Sequence, residues 1–484
     1  MLFVELRFLW FFALVFGVHW ALRSSTQRKA WLLAASYAFY GAWDVDLLSL
    51  IAASTLVDFC AGRGIAGATS QGARRAWLAL SLTANLGLLG FFKYFNFFAE
   101  SAAELSRWMG LPVSNWTLAI VLPVGISFYT FQTLSYSIDI YRGRLAPAKS
   151  FRDFFLFVAF FPQLVAGPIV RAQELLPQFR RRQWPSPWRI QNGLYLIVWG
   201  LFTKIVVADN LAPEIDRIFA MIPSGQATPA HVWLSLIYLG CMVFADFAGY
   251  SCLAIGLACL LGMRFPRNFL YPYISRGPQE LWVRWHMTLS SWLRDYVYMP
   301  LWGKKGGGGR QYTAMLTTMV LAGVWHGAAW TFVMFGLYHG IGVVVNRFWV
   351  NTFNGGRRAR GWPFDRPKGP AAITKRIGII LLMNVFMQSN WVFFRAPDVA
   401  SVFEVWRIAY IVPFQKGMGW EVFAEARHLV LVLPIVLMHV TQLLREWFAW
   451  RERPWHRVLA AAVMIVALVV VRRTDTADFF YFQF

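Results

Sequence analysis

Charge is scarce in this chain. Of 484 residues only 14% are Asp, Glu, Lys or Arg, while 58% are hydrophobic and 18% aromatic. A soluble domain carries about 25% charged residues, so this balance excludes one and points to an integral membrane protein. Cysteine is scarcer still. The four present (Cys60, Cys241, Cys252 and Cys259) lie in or beside apolar runs and never as C-x-x-C. That excludes the usual zinc spacing and a disulfide framework, leaves them as small packing residues, and gives no support for a metal. The glycine-rich loop Lys304–Arg310 lacks the Lys-Ser/Thr pair that would make it a nucleotide-phosphate loop. No internal repeat is visible at any period.

Acid is the scarcer sign. Lys and Arg number 46 against 24 Asp and Glu, a formal net charge of +22. A basic chain can bind nucleic acid, but that requires a solvated basic face, and here the basic residues sit in short loops between apolar runs. Retention of positive loops on the cytoplasmic side explains the charge, so the expected partner is the lipid bilayer and not nucleic acid. The run from Leu2 to Leu22 lacks a basic leader, with Glu5 and Arg7 in its place. It reads as a retained first helix with Arg23, Arg28 and Lys29 cytoplasmic and the N-terminus outside. Judged against the ~20 residues needed to cross a bilayer, the apolar runs predict an all-α, polytopic protein of about 11–13 helices, some re-entrant or interfacial. One membrane domain over 1–484 is expected, multi-pass in a bacterial inner membrane.

The stretch Arg264–Arg310 departs from a simple bundle. Within it Trp282, Trp285, Leu289, Trp292 and Leu293 recur at three- and four-residue spacing, which predicts one apolar face of a helix at the cytoplasmic surface or dipping inward. His286 lies on this segment with Thr288, Ser290, Ser291, Arg294 and Asp295. A second histidine, His326, sits in a tryptophan-rich apolar run between Gly323 and Gly327. An ionisable group at membrane depth is costly and is by default a functional candidate. The glycines predict close helix approach or a break that lines a cavity. Neutral imidazole suits a general base acting on a hydroxyl, and two histidines can divide base and donor-positioning roles. His339 ranks below them: on a continuous helix it points away from His326. For Asp58, Lys93, Asp139, Lys204, Asp209 and Asp246 the first expectation is pairing with opposite charge. Asp246 draws most interest because Gly249 and neighbouring aromatics can line a cavity.

Seven segments together resemble the membrane-bound O-acyltransferases, in the bacterial branch that holds alginate O-acetyltransferase membrane subunits. They are Leu122–Gln132, Phe161–Pro168, Lys204–Asn210, Arg284-Trp-His286 with Trp292–Tyr296, Gly323-Val-Trp-His-Gly327, Trp391–Arg395 and Tyr481–Phe484. The resemblance runs over nearly the whole chain. It implies a helical fold around a central tunnel, with an acyl donor entering from the cytoplasm. It carries the catalytic histidine to His326, and to His286 the second position, which is Asn or Asp in other branches. Where relatives often read Tyr-Ser-Asp this chain reads Tyr250-Ser-Cys252, so an acid there is not required or the donor is handled differently.

From these residues follows an expected O-acyltransferase that moves an acetyl group from a cytoplasmic thioester such as acetyl-CoA towards an extracytoplasmic polysaccharide such as alginate. His326 and His286 are its expected catalytic residues. Trp285, Ser290, Arg294, Asp295, Trp325 and Asp246 are expected along the substrate path. No bound cofactor or metal is expected. The chain has no sizeable soluble domain for holding polymer, so a periplasmic SGNH-type acetyltransferase and polysaccharide assembly machinery are the expected partners. The alternatives are D-alanyl transfer to teichoic acid and a passive conduit for acyl groups or lipid.

Overall fold

The computed structural model describes residues 1–113, 117–164, 167–180, 184, 186–303, 307–353, 366–424, 426–450 and 453–471. Residues 165–166 of the Phe161–Pro168 segment, Lys304 and Lys305 of the glycine-rich loop, Arg181 and Arg182, most of the linker 351–370, and Tyr481–Phe484 lie outside the described residues. Among those described every regular element is a helix. Six helical stretches are long and apolar enough to cross a membrane: Leu47–Gly67, Gln71–Trp108, Pro187–Met221, Pro229–Leu260, Trp330–Phe353 and Pro370–Phe394. Leu6–Ala21 and Pro454–Val470 are apolar but shorter. The remaining apolar runs form shorter helices, such as Val399–Tyr410 with 12 residues. Large apolar side chains such as Leu382 and Val469 are more than 70% exposed. That is the surface a lipid solvent allows and water does not.

The chain gathers into two compact units, one of Met1–Ile197 with Tyr250–Pro266, the other of Val198–Gly249 with Arg267–Phe484. In the first, Leu47–Gly67, Gln71–Leu89 and Ile126–Tyr141 pack together through bare backbone. A Cβ on Gly62 would stand 2.6 Å from the Tyr136 ring, and one on Gly64 2.4 Å from the Trp77 ring. Between these helices the buried Asp58 carboxylate accepts hydrogen bonds from Ser81 Oγ (2.5 Å) and Asn85 Nδ2 (2.9 Å), while Thr133 donates to Asn85 Oδ1. Here the compensation for a buried carboxylate is a ring of neutral donors. Among the described residues four helix starts are fixed by serine caps: Ser24, Ser70, Ser150 and Ser186 accept from Thr26, Ala73, Asp153 and Arg189.

The second unit is organised by a helical hairpin, Gly308–His326 followed by Trp330–Phe353. The apolar run 312–346 is therefore two helices, broken at 327–329. Close approach explains the glycines: a Cβ on Gly323 would stand 2.2 Å from the Phe332 carbonyl oxygen, and one on Gly336 2.6 Å from that of Met319. Lys204 Nζ is 2.8 Å from both Asp209 and Asp246, all three nearly inaccessible, so the charged intrusions at these positions do pair. The clamp joins a π-helical turn, Phe202–Ala208, to Pro229–Leu260. Gly249 supports it, since its Cβ would lie 2.7 Å from Thr203 Oγ1.

Candidate active site

The predicted single amphipathic helix through Trp282–Leu293 does not form. Two seven-residue helices, Pro278–Arg284 and Met287–Leu293, meet at a break where His286 takes φ 39° and ψ 56°. All five apolar residues of the expected stripe are nonetheless buried. The break is held from outside. Leu270 N donates to Arg284 O (2.9 Å), Met287 N to Asn268 O (2.8 Å), and Thr288 Oγ1 to Asn268 Oδ1 (2.6 Å). Arg284, 2% exposed, bonds Glu280 and the Leu270 carbonyl. Backbone and side chain of 268–270 thus hold His286 in a left-handed conformation that costs most residues about 1–3 kcal/mol.

His286 has no exposed surface. Its ring stands edge-on to Phe247, with centroids 4.6 Å apart, and 5.7 Å from the Trp325 ring. Burial pushes its imidazole down to about 3, so the ring is neutral at physiological pH. His326 is the last residue of its helix and is 3% exposed. It packs against Trp325 (5.0 Å), Phe335 (5.4 Å) and Phe394 (5.5 Å). One indole, Trp325, therefore touches both histidines, which are 40 positions apart in the chain.

Of the other expected residues, Trp285 closes the same space, with ring contacts at 4.9 Å to Phe269 and Trp391 and 6.2 Å to Phe244. Ser290 donates to the Trp285 carbonyl (3.1 Å) and so supports the break. Arg294 stands apart: its side chain is 61% exposed and pairs with Asp295 at 2.7 Å. Asp246 belongs to the lysine clamp, while its neighbour Phe247 is the ring on His286. For His339 the angular argument fails because the helix is not continuous. Phe335 touches His326 at 5.4 Å and His339 at 4.7 Å.

Residues that sequence reasoning passed over complete the surroundings. His439 donates from Nδ1 to the Ile435 carbonyl (2.7 Å) and packs on Phe244 and Tyr273. Gln388, Ser389 and Asn390 are buried polar residues next to Trp391. A polar triplet at the end of an apolar run was the available signal. Asn268 carried none, because its role is to hold backbone that is distant in sequence.

A profile of the membrane-bound O-acyltransferase family (MBOAT) matches residues 145–365. A Pseudomonas aeruginosa protein named "Probable alginate O-acetylase AlgI" is 40% identical over 93% of this chain and 82% of its own length. The chain belongs to the membrane-bound O-acyltransferase family. It is accordingly a polytopic membrane O-acyltransferase. A Helicobacter pylori relative named peptidoglycan O-acetyltransferase is 34% identical over 78% of this chain and 72% of its own. A Streptococcus thermophilus relative named teichoic acid D-alanyltransferase is 32% identical over 58% and 70% respectively. The three names share acyl transfer to a polymer: the first two name acetyl and the third D-alanyl, and each names a different polymer. The family match spans His286, His326, Trp325 and the lysine clamp.

Proposed function

We propose that this O-acyltransferase moves an acetyl group from a cytoplasmic thioester such as acetyl-CoA across a bacterial inner membrane for O-acetylation of an extracytoplasmic polysaccharide of the alginate type. The observation that carries the reading is the convergence of His286 and His326 on one indole inside an apolar shell. His326 takes the proton of the acceptor hydroxyl as its oxygen attacks the thioester carbonyl. The carbon–sulfur bond breaks, and the thiolate recovers that proton from the imidazolium, leaving ester and thiol. A thiolate leaves readily, so one base and correct placement supply most of what the step requires. His286, neutral and held by the 268–270 strap in the basic, cytoplasm-proximal stretch, positions the donor. Trp285 and Trp325 wall the path, and Ser290 supports it. We place Arg294 and Asp295 at the donor's entrance, in keeping with the 61% exposure of the Arg294 side chain and its pairing with Asp295. Asp246 acts on the path through Phe247. A periplasmic SGNH-type acetyltransferase completes delivery to polymer.

The test is the acetyl content of polymer from a strain carrying His326→Ala at normal protein level. Loss of at least 100-fold is expected, within the range a general base contributes; unchanged acetylation would sink the assignment. The Streptococcus relative gives D-alanyl transfer as the second reading. It requires a carrier-protein thioester, so co-purification of a small acidic carrier with the chain would favour it.

A further inference from the structure

We infer that the groove along the outer end of Gln71–Trp108 seats a partner's transmembrane helix: the membrane anchor of the periplasmic acetyltransferase, apolar, and carrying Lys or Arg where it leaves the bilayer. The inference rests on the reading that such a partner completes delivery to polymer. The groove lies wholly within the first unit.

Ala99, Ala102, Ala103 and Ser106 line a cavity of about 820 Å³ together with Phe98 and Val113. Their spacing of three and four residues puts the first four on one face of Phe95–Trp108, a helix none of whose residues is buried. A face of small side chains lets a second helix come close. The shape is held in advance. Asn96 donates to the Leu118 carbonyl (2.9 Å) and accepts from Leu118 N (3.0 Å), while Leu111 N donates to the Ser106 carbonyl (2.9 Å), which brings the chain back beside the helix.

Length and charge choose the occupant. Along the helix Gly90 follows Arg75 by 15 residues and Ser106 follows it by 31, rises of ~22 and ~46 Å. With Arg75 at the cytoplasmic face of a hydrocarbon layer ~30 Å thick, the groove begins among the acyl chains and ends beyond them. Lipid therefore reaches only its lower part. Past the lipid, Trp108, Met109 and Leu111 are each more than half exposed, an apolar patch of the kind that in water marks an interaction site. A helix that crosses the bilayer and continues covers both parts. Glu100 and Glu104, exposed on the flank of the small face, select its charge. Like charges four residues apart repel along a helix, and Arg107 stands one turn from Glu104 alone. A cation on the incoming helix relieves the pair. A second copy of this chain would bring the same two carboxylates to a two-fold contact, and anionic headgroups would meet them with like charge.

The experiment uses the full chain in its own cells, with the photoreactive substitution Phe98→p-benzoylphenylalanine at a groove position that is 64% exposed. Irradiation should join it to an apolar single-span segment of a protein whose soluble domain is periplasmic and esterase-like, identified by sequencing the adduct. An adduct with a second copy of the chain, with any other protein, with phospholipid alone, or no adduct overturns the inference. Ala102→Trp fills the groove, and Glu100→Lys with Glu104→Lys reverses its rim. Each should lower adduct yield and polymer acetylation about tenfold at normal protein level. Replacing the anchor's cation by Glu should restore the charge-reversed variant and leave Ala102→Trp impaired. Unchanged yields in both variants, or no restoration, mean that the groove is not the seat. The same cross-link in a His326→Ala strain separates the two readings. The adduct should form there whatever the acetylation, and persistent acetylation would sink the catalytic assignment alone.

Discussion

His286 shows how one residue is chosen twice, by its ring and by its backbone. Its left-handed conformation is one that Asn, Asp and His tolerate far better than other non-glycine residues. His286→Asn is therefore the substitution that keeps the break and removes the imidazole, whereas His286→Ala confounds the two. A pH effect follows. In the unfolded chain the imidazole titrates near 6.5; in the fold burial lowers it to about 3. Above pH 6.5 both states are neutral. Below it the unfolded state alone binds the proton, so stability is lost progressively between 6.5 and about 3. Between pH 7 and 5 the wild type should lose on the order of 1–2 kcal/mol more than His286→Asn, read from denaturation midpoints in detergent; parallel curves would mean that the buried ring accepts the proton. His326 was legible in the sequence because glycines framed it in an apolar run. The backbone at His286 was not, because the groups that hold it are at Asn268 and Leu270.

At the level of elements, the hairpin of Gly308–His326 and Trp330–Phe353 depends on the contact at Gly323 and Gly336. Gly323→Ala places a methyl against a carbonyl oxygen that cannot yield without parting the helices. It should cost about 1–3 kcal/mol and lower the melting temperature together with transfer activity. Gly378→Ala, where a Cβ meets nothing within 4 Å, is the control and should not destabilise. The lysine clamp answers to a different rule. Lys204→Met strands two buried carboxylates and should cost about 3–5 kcal/mol. Adding Asp209→Asn and Asp246→Asn should restore part of that, measured as recovery of folded protein in detergent extracts. Hydropathy located these helices well, including Pro229–Leu260, but it merged the hairpin into one run. Periodicity drew a single helix through Trp282–Leu293, since the stripe stays buried even where the backbone turns. A break made by long-range hydrogen bonds leaves the apolar spacing intact and so escapes notice.

For the whole molecule, composition alone set the solvent, and the placement of charge predicts the orientation. On a background with the four cysteines replaced, Arg75→Cys and Arg376→Cys should react with an impermeant maleimide only after the cytoplasmic face is opened. Asp398→Cys, exposed just beyond the far end of Pro370–Phe394, should react in intact cells. Labelling of all three from one side would contradict the topology. What sequence patterns did not reveal is the interleaving of the two units, because patterns are read along the chain and units are defined across it. That interleaving bears on synthesis. The first unit includes Tyr250–Pro266, so it cannot close until residue 266 has left the ribosome, by which time Val198–Gly249 of the second has already been delivered to the membrane. The first unit must therefore wait, partly built, in the bilayer, and a ribosome stalled between 197 and 250 should leave a product that insertion-linked proteases find before any acyl transfer is possible.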